Sequence, residues 1–225
     1  MPRRTTPLIN GQYYHIYNKS IEGKSIFEDQ EDHRRFILTL AFYLYHDPTM
    51  KLARFMQLSA RSQGEVFTKR VKEKRSLVSL ITFLSMPDHY HLIISQTVDG
   101  GVSTYMRHVQ DSYTRYYNTR HKRVGPLFLG PYKAKQIELG EHLAPLTRII
   151  HREPLMRGVV DTTDALSSYL WSSLPEYLGI DNRHICDSRV VLHQFQDDTA
   201  KYRAYIEAET DISQSPEEIK HLLFD

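Results

Sequence analysis

Apolar residues along this chain fall into two rhythms, one of helices and one of strands. Gln12-Tyr13-Tyr14-His15-Ile16-Tyr17-Asn18 is dense in β-formers and reads as a first strand. From Asp29 to Tyr45 the apolar positions Phe36, Ile37, Leu40, Ala41 and Leu44 recur at helical spacing, and Asp47-Pro48 ends that helix. Residues 51–76 read as a charged helical insert with Gly64 as its break. Leu77 to Ser85 is rich in β-formers, and His89 to Ser95 continues as a strand after Met86-Pro87-Asp88. Asp99-Gly100-Gly101 marks a turn into a helix over Ser103–Asn118, with Val102, Met106, Val109 and Tyr113 along one side. Gly125-Pro126 and Gly130-Pro131 bracket a loop before a short strand from Tyr132 to Ile137. Leu139 to Arg152 is helical, with Pro145 either kinking it or sitting in its first turn. Short helices follow from Leu155.

This order predicts an α+β fold with an antiparallel sheet, one face covered by helices and one open. On such a strand His89 and His91 project from the same face while Tyr90 points away. Their Cα atoms lie ~7 Å apart by strand rise, close enough for two imidazoles to share one divalent cation. A pair of surface or core histidines without chemistry is the other reading.

Charge changes the picture next. The net charge is only +2, but its distribution is uneven. Lys51 to Arg75 carries eight cations against Glu65 and Glu73, and Arg107 to Lys135 carries seven against Asp111 alone. The end of the chain reverses sign with Glu207, Glu209, Asp211, Glu217, Glu218 and Asp225. A basic body points to a polyanion, most simply nucleic acid, against the alternative of solvated helix faces. In Ser112 to Arg123, phenols interleave with cations, the combination that single-stranded nucleic acid requires for stacking and phosphate contact. Tyr113 and Tyr117 are expected mostly packed, with Arg115, Arg120, Lys122 and Arg123 outward. No apolar run approaches the ~20 residues of a membrane span. The first seven residues lack the apolar stretch of a secretory signal, and a single cysteine, Cys186, fits a reducing compartment, so a cytoplasmic location is expected.

Several blocks together resemble the single-tyrosine HUH transposases of insertion sequences, in their REP-associated branch. They are Tyr14-His15-Ile16-Tyr17-Asn18, Met86-Pro87-Asp88-His89-Tyr90-His91-Leu92 and Tyr113-Thr114-Arg115-Tyr116-Tyr117-Asn118, then Gly125-Pro126-Leu127-Phe128, Tyr132-Lys133-Ala134, Trp171-Ser172-Ser173 and Tyr177-Leu178-Gly179. The resemblance implies a ferredoxin-like antiparallel sheet with helices on one face. It implies a HUH transposase-like domain over 1–180, interrupted by the 51–76 insert, and a helical C-terminal extension over 181–225 with an acidic end. It also implies Mg²⁺ or Mn²⁺ on the His-x-His pair, single-stranded or hairpin DNA as partner, and strand cleavage by a tyrosine of a late helix.

Two positions depart from that family. Its late helix usually carries Tyr-Ile-x-x-Asn-Pro; here Arg148-Ile149-Ile150-His151-Arg152-Glu153-Pro154 puts Ile149 at the nucleophile and Glu153 at the third metal ligand. Pro131 stands where the family usually has arginine. The expected metal ligands are therefore His89, His91 and Glu153. The expected DNA contacts are Arg107, Arg115, Arg120, Lys122, Arg123, Tyr132, Lys133 and Lys135. Two outcomes stay open for the chemistry: a DNA-binding relative that has lost transesterification, or an enzyme using Tyr113, Tyr116, Tyr117 or a metal-bound water. A hydrolase of small phosphoesters fits less well, since no phosphate-cradling glycine loop is present. The sequence leaves monomer and homo-oligomer equally open.

Overall fold

The structure, a computed structural model, describes residues 7–45, 50–73, 76–137 and 140–208. Strand β1 (Tyr13–Lys19) leads into helix α1 (Gln30–Tyr43), which starts where the Asp29 carboxylate accepts the backbone N–H groups of Glu31 and Asp32. The insert follows as α2 (Leu52–Phe55) and α3 (Ala60–Glu73). Gly64 lies inside α3 and does not break it. Strands β2 (Val78–Ser85) and β3 (His89–Gln96) form a hairpin, α4 (Gly101–Arg120) crosses back, and β4 (Lys133–Ile137) completes the sheet. The expected helix end at Asp47-Pro48 lies outside the described residues.

The strands stand in the order β2-β3-β1-β4, all neighbours antiparallel. Two β-α-β crossovers, through α1 and through α4, generate that order, which is the ferredoxin-like arrangement. The period of two then sorts the side chains. Tyr14 and Ile16 on β1, and Tyr90, Leu92 and Ile94 on β3, turn to α1 and α4 and build the main apolar core with Phe36, Leu40, Met106 and Tyr113. The helices come very close to the sheet at Gly101, where a Cβ would sit 2.1 Å from the carbonyl oxygen of Leu77.

Helices on one face agree with expectation, and the structure adds cover on part of the other. Helix α5 (Leu143–Met156) brings Leu146, Ile149 and Ile150 against Ile81, Ile93 and Ile137. Helices α6 (Thr163–Ser167), α7 (Leu174–Tyr177), α8 (Arg189–Leu192) and α9 (Thr199–Glu207) close behind it through Leu166, Tyr177, Val191 and Tyr202. Pro145 occupies the first turn of α5, where its missing N–H costs nothing. The acidic residues expected after position 208 lie outside the described residues.

Candidate metal centre

The tight Met86–Asp88 turn aims the start of β3. The Met86 amide donates to the His89 carbonyl, and the Pro87 carbonyl accepts from Ile26 and Phe27, pinning the turn to the segment after β1. His89 and His91 then lie on the sheet face away from α1 and α4, as the alternation predicts. Helix α5 crosses the same end of that face and presents Glu153 to both rings. The Nε2 of His89 lies 3.1 Å from Glu153 Oε1, and the Nε2 of His91 lies 3.2 Å from Oε2. One ligand atom from each residue falls within 4.8 Å of the others, and among the described residues no second such group occurs. Residues 64 positions apart have converged.

The opposite nitrogen of each ring is also held. His89 Nδ1 lies 2.6 Å from Asp88 Oδ1, and His91 Nδ1 lies 2.8 Å from Nε2 of the fully buried His15. Both rings thus turn Nε2 inward, as metal-binding histidines do when a partner fixes the other nitrogen. Burial pushes His91 down to about 3, so its ring is neutral. Burial opposes the cation of His89 too, but the Glu153 and Asp88 carboxylates on its two nitrogens outweigh that and raise its pKa. Burial alone would raise Glu153; the hydrogen bond from His89 and the charges of His91, His89 and Arg157 instead bring it to about 2. The centre holds an ionised carboxylate and two inward imidazoles beside a pocket of about 460 Å³. This donor set fits a divalent cation with positions left open on the pocket side.

The pocket wall carries Tyr17, Lys19, Lys133 and Arg157 beside the histidines. The strand register explains it: Tyr17 pairs with both His91 and Lys133, and Lys135 pairs with His15, so all of them share the face of the histidines. Arg157 reaches back one helical turn to Glu153 at 3.3 Å. Ile149 sits one turn before Glu153, buried among the apolar residues under α5. It offers no nucleophile.

The other sequence-derived candidates do not gather here. Helix α4 packs on the far face of the sheet, and its phenols are committed there. Tyr113 donates to the Ile26 carbonyl, Tyr116 to Asp32, and Tyr117 to the Ser25 carbonyl and Glu28. None of the three is placed to attack a phosphate at the histidines, because the sheet lies between. Arg120 is not an outward cation either: it bridges Asp29 at 2.6 Å and the buried Asp32 at 2.5 Å. Arg123 folds back onto Asn118 and the Pro126 carbonyl, while Lys122 is exposed at the end of α4. Arg107 and Arg115 are exposed along a groove of about 690 Å³ between α1, the insert and α4, with Arg35, Lys51 and Tyr116. Tyr132 is half-buried against the main core.

Sequence reasoning did not single out His15, Tyr17, Lys19, Asp88 and Arg157 as site residues. Asp88 was readable as a neighbour of His89. His15 and Tyr17 needed the pairing of β1 with β3, which no local pattern reveals.

The fold and this site define a class: a four-stranded antiparallel α+β protein with a two-histidine, one-carboxylate donor set at one end of its sheet. Residues 53–138 match the family model described as "Transposase IS200 like", a segment that runs from the insert through β4 and contains both histidines. This stretch, less than half of the chain, resembles the IS200-like transposase family. No curated protein matches it. Its fold is similar to a solved structure described as the REP-associated tyrosine transposase bound to a REP hairpin, with 12% identity, a TM-score of 0.54, and 94% of this chain and 93% of that chain covered. No helix among the described residues is long and apolar enough to cross a membrane.

Proposed function

We propose that this protein binds single-stranded DNA next to a hairpin, holds a Mg²⁺ or Mn²⁺ ion on His89, His91 and Glu153, and has lost transesterification by tyrosine. The observation that carries this reading is the convergence of both Nε2 atoms on Glu153 at 3.1 and 3.2 Å, beside a pocket lined with cations. When bound, the ion would supply Lewis-acid polarisation of a phosphate oxygen. The residues around it would do the rest. Lys19, Lys133 and Arg157 would hold phosphates entering the pocket, and the Tyr17 ring would stand beside an unpaired base.

The solved relative's hairpin suggests where the remaining DNA goes. The α4 groove offers Arg107 and Arg115, while its tyrosines are tied into the fold. It therefore suits a phosphate backbone, such as a hairpin stem, better than unpaired bases. Lys122 is exposed just after α4 and free to meet a phosphate outside the groove, whereas Arg120 and Arg123 act through the fold. We assign residues 1–180 to this DNA-processing unit and 181–225 to a C-terminal extension, whose described helices α8 and α9 join α6 and α7 behind α5. One observation favours a second reading, retained strand cleavage. Tyr17 is the tyrosine on the pocket wall, its ring centroid 5.8 Å from that of His91, so any surviving phenol attack falls to it.

The test incubates the protein with Mn²⁺ and labelled hairpins carrying single-stranded flanks. The expected result is a shift on a native gel, intact DNA on a denaturing gel, and Mn²⁺ binding by calorimetry that His89→Ala abolishes. A protein-linked band mapping to Tyr17 would replace the first reading with the second. No shift and no Mn²⁺ binding would refute both.

A further inference from the structure

His15 takes no part in the motif that marks the site, yet it is fully buried at the register position opposite Ile93, two pairs along from His91 and on the same sheet face. Its Nε2 lies 2.8 Å from His91 Nδ1, and the two rings stack at 5.0 Å between centroids and 18° between planes. A histidine bound to a cation through Nε2 must carry its proton on Nδ1. With that proton on Nδ1, His91 donates to His15, whose Nε2 accepts. We propose that His15 is a positioning residue that selects the metal-competent tautomer of His91 and fixes the rotation of its ring. This inference rests on the metal centre proposed above.

The two histidines of the centre are then held by different means. His89 donates to a carboxylate, Asp88, half exposed beside the pocket, whereas His91 donates to a neutral ring sealed in the sheet. Asp88 is the next residue to its histidine. His15 reaches across a strand pair, so the alignment of His91 depends on the β1–β3 register and not on a flexible turn. Tyr17 packs against both rings, 5.0 Å from His15 and 5.8 Å from His91, and closes the stack from the pocket side. A phenyl ring in place of His15 would preserve the stacking and the apolar volume but remove the acceptor. A glutamine would restore an acceptor at similar reach without the ring.

Titration of the folded full-length chain with Mn²⁺, read by calorimetry and by electron spin-echo envelope modulation, tests this. The unsubstituted protein is expected to show two coordinated imidazole nitrogens. His15→Phe should lose about 10–100-fold in Mn²⁺ affinity and fall to one well-coupled imidazole. His15→Gln should recover most of the affinity and both couplings. Circular dichroism checks that each variant is folded. Should His15→Phe not fold, the Mg²⁺-loaded natural protein decides, through the ¹⁵N shifts of its histidines: His91 must be protonated at Nδ1 and not at Nε2. Two imidazole couplings and unaltered affinity in His15→Phe, or an unprotonated His91 Nδ1 in the loaded protein, would overturn the role of His15 alone. Absence of Mn²⁺ binding in the unsubstituted protein would overturn the metal centre, and this inference with it.

Discussion

His151 lies at the centre of the second core, and its titration gives the most quantitative prediction the structure allows. The ring is fully buried, with Tyr202 Oη 3.0 Å from Nδ1 and Ser173 Oγ 2.8 Å from Nε2. Both partners are hydroxyls that can donate or accept, so they satisfy the neutral ring and give the cation no counter-charge. Burial accordingly pushes its pKa from 6.5 down to about 3. The folded value lies below the unfolded one, so the unfolded chain binds the extra proton, and stability is present above pH 6.5 and lost as pH falls towards 3. Integrated to about pH 5, roughly one and a half pH units below the unfolded value, the loss from this one ring is about 2 kcal/mol. His33, lowered to about 4, and His91, lowered to about 3, titrate in the same direction. The assay is urea denaturation with EDTA at about pH 7.5 and pH 5, for the natural chain and for His151→Gln. The substitution lowers stability at both pH values through lost packing, but the difference between them should shrink by about 2 kcal/mol. An equal pH difference in both proteins would show that His151 titrates normally in the fold and is open to water, refuting the argument.

Three further outcomes follow from single elements. Ile149→Tyr should give a covalent DNA adduct with Mn²⁺ and a hairpin if the nucleophile is the sole loss; no adduct from a folded variant that still binds Mn²⁺ would place a second defect around Glu153 or Pro131. Arg107→Ala with Arg115→Ala should weaken hairpin binding and reduce the slope of log affinity against log salt by about 1–2; an unaltered slope would return both arginines to a solvated face. Gly101→Ala should cost about 1–3 kcal/mol in a urea titration, because the added methyl meets a backbone carbonyl at 2.1 Å that cannot swing aside; a neutral result would show that α4 shifts freely on the sheet.

What the sequence made legible and what it hid follow from the range of the interactions involved. His89 and His91 share a face because of strand alternation, and Ile149 and Glu153 share one because of helical spacing; both rules act over a few residues, so both were readable. The meeting of Glu153 with the histidines was reached only through the family pattern, since contact across 64 residues is set by the packing of α5 on the sheet. The basic and aromatic stretch of α4 shows the opposite case. Its composition suggests one DNA surface, but the crossover that makes the fold ferredoxin-like puts α4 on the far face from His89, His91 and Glu153. Packing then takes its tyrosines, and Asp29 and Asp32 take Arg120. Periodicity correctly marked Tyr113 and Tyr117 for the core, yet it could not tell that Tyr116 would be bound to Asp32. The cations that do stand beside the centre, Lys19, Lys133 and Arg157, come from three elements with no common motif. Position relative to the sheet, more than local density of charge, decides which cations can meet a phosphate at the histidines. The α4 arginines must therefore contact a different part of the DNA or none of it, and the salt slope of the double arginine variant separates those two cases.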